Sequence, residues 1–262
     1  MRIDIRKAKI IRYLTPLREG GSLPAIVEAD DGFKYVVKFR GAGQGKKALI
    51  AELIGGELAR AMNLRVPELV FLDLDERFPI TEPDEEIQDL LKFSVGLNLG
   101  LHFLSGAITY DMHASQADPL EASKVVLLDS IITNVDRTPK NPNLLIWNRE
   151  LWLIDHGACL YFHHSWTKWE EHSLRKFPLI KNHVLLSKAS KLSQAEEIIS
   201  NSIKTSTILE IVNSIPEEWL IEDSNEILPE EKRSIYATYL TNRIQNITLL
   251  TKEANEARNG NI

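Results

Sequence analysis

Forty residues in the middle of the chain, 118–157, restrict its fold more than any other stretch. Asp118-Pro119-Leu120-Glu121 reads as a helix start. Aspartate caps the first free N–H groups, proline suits the first helical position, and glutamate follows three residues after the cap. The helix is expected to run to about Thr133. A polar run, Asn134 to Asn141, then breaks the pattern. Two short apolar strands follow, Leu144 to Trp147 and Leu151 to Ile154, around the polar Asn148-Arg149-Glu150, and the stretch closes on Asp155-His156-Gly157. A helix ending in a polar loop, backed by a hairpin, presents the side chains of Asp136, Asn141 and Asp155 at one edge on a rigid support.

The residues before this stretch follow a different period. The first forty read as strands, with Ala25-Ile26-Val27 and Phe33 to Phe39 paired across an Asp30-Asp31-Gly32 turn. From about Lys46 to Met62 the apolar positions recur at helical spacing on two adjacent stripes, as in a well-buried helix, and Leu69 to Leu74 returns to strand. Residues 76–92, with the acidic patch Glu82 to Glu86, read as a solvated loop leading into a strand near Phe93-Ser94-Val95. Glycines at 96, 100 and 106 suggest a crossing between two halves, which places an N-terminal nucleotide-binding lobe at 1–95 and a helical catalytic lobe at 96–262. Ser193 and Glu196 form a second capping-box signature, and Pro229 opens a final helix carrying Tyr236, Tyr239, Ile244, Ile247 and Leu250. The expected class is α+β: a β-rich first lobe and a mainly helical second one.

Composition removes several alternatives. No apolar run reaches the roughly eighteen residues of a membrane span, and the basic N-terminus lacks the apolar core of a signal peptide. A single cysteine, Cys159, excludes an internal disulfide and a multi-cysteine metal cage, so a reducing cytoplasm is the expected compartment. Net charge is −6 without a basic block, which makes nucleic acid an unfavourable direct partner.

Asp136, with Asn141 five positions later and Asp155 beyond the hairpin, matches what phosphoryl transfer from ATP requires. One carboxylate orients or deprotonates the attacking hydroxyl, while an amide oxygen and a second carboxylate hold magnesium against the phosphates. Asp136 and Asn141 alone would read as a capped polar turn. Asp155 in register turns the reading towards a catalytic base, Asp136, and two metal ligands, Asn141 and Asp155.

The same chemistry needs a cation on the phosphates, held by a helical acid. Lys38 interrupts the apolar strand Val36-Val37-Lys38-Phe39, a costly place for a lysine unless it is paired. Glu52, fourteen positions on in the predicted helix, is the expected partner; Glu57 is the second candidate and cannot share its face. Gly20-Gly21-Ser22 sits where a phosphate-covering loop belongs, yet matches neither GxGxxG nor the Walker pattern, so a nucleotide-binding loop and a plain surface turn stand level. His163-His164, with Trp166 and Trp169, reads as a packed segment rather than a metal site, and Cys159 as a small core residue. Arg137 has two readings of equal weight, a phosphate-stabilising cation or the partner of a nearby acid.

These motifs resemble the HipA-like kinases, in particular short stand-alone bacterial members. The likeness rests on V-V-K-F at Lys38, A-E-L-I-G-G-E-L-A-R-A from Ala51, T-N-V-D-R-T-P-K-N-P-N from Thr133 and L-I-D-H-G from Leu153, spanning roughly residues 10–160. The resemblance implies a two-lobed protein-kinase-like fold, also similar to the phosphoinositide kinases, and Mg-ATP-dependent transfer to serine or threonine of a protein. Lys38 would then hold ATP phosphates, Asp136 would be the catalytic base, and Asn141 and Asp155 would bind magnesium; the loop at Gly20-Gly21-Ser22 departs from the family's pattern, and Ser22 is the position to watch for self-phosphorylation. A protein substrate is the implied partner, and an antitoxin-like, operon-encoded protein a further one. A small-molecule or lipid kinase, or a nucleotide-binding pseudokinase, is the alternative.

Overall fold

A computed structural model describes residues 3–17, 23–43, 45–78, 84–222 and 227–260. Its N-terminal part is a closed barrel. Strands β1 (Lys7–Pro16), β2 (Ala25–Ala29) and β3 (Lys34–Lys38) form a meander, and β4 (Leu69–Leu74) and β5 (Gly96–His102) complete the order β1-β2-β3-β5-β4. The circle closes where β4 runs parallel to β1, with Lys7 opposite Phe71. Between β3 and β4 lies helix α1 (Gly45–Ala61).

Alternation explains the placing of α1. Tyr35 and Val37 of β3 and Val70 and Leu72 of β4 fill the barrel, whereas Leu69 and Phe71 of β4 join a second core with Leu53, Ile54 and Leu58 of α1. A strand covered on both faces reads as a continuous apolar run, as Leu69 to Leu72 does before Asp73. This second core continues through α3 (Pro119–Ile132), whose residues from Val125 to Ile132 are all buried. Asp118 caps α3 by accepting from the N–H groups of Leu120 and Glu121, as its sequence predicts, and Thr133 ends the helix in a left-handed turn. A three-stranded sheet, β6 (Ile108–Thr109), β7 (Leu144–Trp147) and β8 (Glu150–Leu153), follows the order β6-β7-β8 and contains the expected hairpin. The remainder is helical: α4 (Trp169–Leu174), α5 (Leu192–Ser202), α6 (Thr205–Asn213), α7 (Glu217–Leu220), α8 (Pro229–Gln245) and α9 (Ile247–Gly260). Among the described residues no helix is long and apolar enough to cross a membrane.

Four expectations need correction. The acidic stretch is not all loop: α2 (Glu85–Phe93) is capped by Asp84, and its first-turn glutamates lie at the helix end that favours negative charge. The strand expected near Phe93-Ser94-Val95 begins at Gly96 and is β5, bonded to β3 on one edge and β4 on the other. This strand, ending at His102, completes the barrel. Ser193 is no cap; it lies inside α5, and Glu196 instead accepts from the Thr248 hydroxyl at 2.5 Å. The helix opened by Pro229 stops at Asn246, whose backbone leaves helical geometry and whose side chain donates to Asn242 O, so α9 is a separate element.

Candidate active site

Lys38 is the last residue of β3, on the strand face opposite the buried Tyr35 and Val37. Its side chain is 12% exposed and lies between two carboxylates. Nζ is 2.5 Å from Glu52 Oε2 of α1 and also donates to Asp155 Oδ1. Burial alone would lower the pKa of this ammonium, but Glu52 and then Asp155 outweigh it and hold the group above the ordinary lysine range. Glu52 is 0% exposed. Burial would raise its pKa, yet the Lys38 charge and the His156 hydrogen bond keep the carboxyl well below the usual glutamate range. The helical carboxylate paired with Lys38 is thus Glu52, while Glu57 pairs with Arg60 on the same helix.

Glu52 reaches into the second lobe as well. The His156 N–H donates to its Oε2 at 2.7 Å, and His156 Nδ1 lies 3.3 Å from Oε1. Gly55, one turn along α1, is what allows this approach, since a Cβ there would stand 2.6 Å from His156 Cβ. Asp155 precedes His156 in a left-handed conformation (φ 57°) that departs from the extended geometry of β8. Its side chain remains 46% exposed.

Asp136 lies on the loop after α3. Asn141 Nδ2 donates to its Oδ2 at 2.8 Å and Asn143 Nδ2 to the same oxygen at 3.3 Å. Both amides bind one oxygen, so Oδ1 has no donor among the described residues. Asn141 thus hydrogen-bonds to Asp136. The loop is joined to the hairpin by main chain, Ile154 N–H to Asn143 O at 3.1 Å, one residue before Asp155. Arg137 settles on the second of its two readings: it is fully buried, and its Nε donates to Asp129 Oδ2 at 2.6 Å.

Two groups are therefore built: Lys38–Glu52–Asp155 at the lobe junction, and Asp136–Asn141 beside it. Asn143 and His156 were not singled out from sequence. The run Asn141-Pro142-Asn143 and the polar ring between Asp155 and Gly157 were the signals available for them. Gly20, Gly21 and Ser22 lie outside the described residues. Cys159 is buried core, and His163 packs as expected, with Nδ1 2.9 Å from the Tyr236 hydroxyl and its ring among Phe162, Trp166 and Tyr236. Among the described residues no group of three or more His, Cys, Asp or Glu is placed to hold a metal ion.

The family model for HipA-like kinases matches residues 10–249. The chain belongs to this family. The match runs well past the motif-bearing residues, roughly 10–160, and takes in most of the helical remainder. No curated protein matches the sequence. Among solved structures, the Helicobacter pylori proinflammatory kinase CtkA aligns with a TM-score of 0.57 at 11% identity, covering 99% of this chain and 99% of that one. A Golgi casein kinase with Mn/ADP bound aligns at 0.51 and 14% identity, covering 97% of this chain and 74% of that one. At such identities the likeness is one of fold. This HipA-like kinase has the two-lobed kinase architecture, with the barrel as its first lobe.

Proposed function

We propose that this HipA-like kinase uses Mg-ATP to phosphorylate serine or threonine of a protein substrate, its own chain included. The observation that carries the proposal is the arrangement of Asp136: two asparagine amides hold Oδ2, which leaves Oδ1 to receive the proton of an attacking hydroxyl. As that proton moves to Asp136, the hydroxyl oxygen bonds to the γ-phosphorus, the bond to the bridging oxygen breaks, and ADP leaves. Lys38 directs two of its three donors to Glu52 and Asp155; the third is left for a phosphate oxygen.

The donor set also fits magnesium. Asp155 is half exposed, the Asn141 amide oxygen has no donor among the described residues, and both are hard oxygen ligands. Magnesium is commonly held by one or two such groups together with phosphates and water. When bound, it would offset charge on the transferring phosphates. The chain's contribution is to fix these oxygens on a short loop and a left-handed turn.

The test is incubation of the purified chain with γ-labelled ATP, magnesium and a protein extract, followed by mapping of phosphorylated residues. Wild type is expected to label serine or threonine, and Asp136→Ala to lower labelling by about 10²–10⁴-fold while ATP still binds. Equal labelling by the two proteins, or ATP binding with no transfer to any acceptor, overturns the proposal.

A further inference from the structure

Beneath the Asp136 loop lies a carboxylate that the reaction itself does not use. Asp129, near the end of α3, is 0% exposed. It accepts three hydrogen bonds from three different residues: Asn134 Nδ2 at 3.0 Å on Oδ1, and Arg137 Nε at 2.6 Å and His183 Nε2 at 2.8 Å on Oδ2. A buried carboxylate is costly unless its oxygens are matched. Burial would raise the Asp129 pKa; Arg137 and then His183 outweigh it, and the group is held below the usual aspartate range.

Each donor leads to the active site or fixes the cluster. Asn134 Oδ1 accepts the backbone N–H of Asp136 at 3.0 Å. Arg137 Nη1 donates to Asn143 O and, at 3.3 Å, to Ile154 O, the carbonyls beside the amide that holds Asp136 and beside Asp155. His183 has a defined tautomer. Its Nδ1 accepts the Leu185 N–H at 3.0 Å, so Nε2 bears the proton and donates to Asp129.

We infer that Asp129 is a positioning residue: acting through Asn134 and Arg137, it sets the loop bearing Asp136 and the hairpin end bearing Asp155. A carboxylate only accepts. It therefore selects the orientation of the Asn134 amide in which Nδ2 faces Asp129 and Oδ1 faces the Asp136 N–H. With an amide at position 129, an NH₂ group would face Asn134 Nδ2; turning the Asn134 amide would relieve that clash but aim its NH₂ at the Asp136 N–H. The inference rests on Asp136 as the base, but the geometry it describes can be measured separately.

The experiment is a swap read in two ways. Asp129→Asn and Asn134→Asp are each expected to lower kcat by about tenfold to a hundredfold, the range for a small misplacement of a reacting group, with KM for ATP changed less than twofold. The double variant restores a donor at 129 facing an acceptor at 134, and the carboxylate placed at 134 can still accept the Asp136 N–H. It is expected to recover at least tenfold over the worse single variant. Amide hydrogen exchange over residues 133–138 gives the second reading: faster in both single variants, and restored in the double. Should wild type transfer no phosphate, the assignment of function fails, and the exchange pattern alone decides the positioning role. Should Asp129→Asn not fold, Asn134→Ala, which leaves Arg137 and His183 on Asp129, is expected to show the same faster exchange. Unchanged exchange at 133–138 in the folded single variants, or a double variant no better than the worse single, overturns the inference.

Discussion

Gly55→Ala tests whether contact between the lobes sets the active site. A Cβ at position 55 would lie 2.6 Å from His156 Cβ and 2.9 Å from Cγ. Ordinary carbon contacts are about 3.5–4.0 Å, so α1 and the His156 turn must part by about 1 Å. The obstacle includes the root of a buried side chain, which cannot swing aside without moving its backbone. Over-packing of this kind costs about 1–3 kcal/mol, offset by about 0.5–1 kcal/mol because alanine is the better helix former. The net loss is about 1 kcal/mol within a range of about 0–2.5, or about 3 °C in Tm for a chain of this size. The Glu52 bond to the His156 N–H, 2.7 Å in the native chain, lies directly across the widened gap. An error of about 1 Å at such a site lowers turnover by up to about a hundredfold. Gly56→Ala is the control, since its Cβ meets chiefly the terminal Leu69 Cδ1, at 2.9 Å, which a rotamer change can move. The assay pairs thermal unfolding with phosphate transfer for the two variants. If Gly55→Ala is as stable and as active as Gly56→Ala, the close packing of α1 on His156 does not set the site.

Two further predictions concern the frame around the site. Trp219 of α7 is fully buried, donates from Nε1 to Leu97 O of β5 at 3.0 Å and meets Phe71 edge to face, so this C-terminal helix is pinned to the barrel. Trp219→Ala is expected to cost about 3–5 kcal/mol, read as a lower denaturant midpoint; a shift under about 1 kcal/mol would refute the pinning. Stability should also fall as pH drops from about 7 to 5. Burial, with His164 and Lys47, holds the His163 pKa well below the ordinary value, so the unfolded chain takes up the proton first and the folded state loses up to about 1.4 kcal/mol per pH unit. The depressed carboxyl of Asp129 acts lower: its contribution is fully present above about pH 4 and is lost progressively as pH falls below that towards the depressed folded-state value. Denaturation of wild type and His163→Gln at pH 7.5 and 5.5 checks the histidine term, which fails if the two proteins show the same slope.

What the sequence revealed and what it hid differ in a physical way. The hairpin of β7 and β8, the Asp118 cap and the run Leu69 to Leu74 were legible because each depends on neighbours a few residues apart. Lys38 and Glu52 were legible for another reason: a lysine in an apolar strand needs a carboxylate, and the helix that follows offers few. Helix α2 was missed because its acidic first turn resembles a solvated loop, while Ile87, Leu90 and Leu91 form only a short apolar stripe. β5 was misplaced because Gly96 and Gly100 suggested a link. In the barrel, Gly100 instead gives room to the Leu72 side chain, a constraint that appears only once β4 and β5 are paired.

The positions proposed for the chemistry are the ones a spacing rule can find, since Asp136 and Asn141 share one short loop and Asp155 follows across a hairpin. The residues that orient them obey no such rule. His183 is 54 residues from Asp129, and His156 is 104 residues from Glu52. Nothing in local composition marks Asp129, which in an apolar helix reads as an ordinary interruption. Its role follows from hydrogen-bond accounting: a fully buried carboxylate must find donors, and the ones it finds hold the Asp136 loop and the turn into Asp155. Glu52 obeys the same requirement at the lobe junction, with donors from β3 and from the His156 backbone. Two buried acids, one beneath each half of the site, thus convert tertiary packing into the placement of Asp136, Lys38 and Asp155. Loss of either should therefore disturb catalysis more than its distance from the transferred phosphate would suggest.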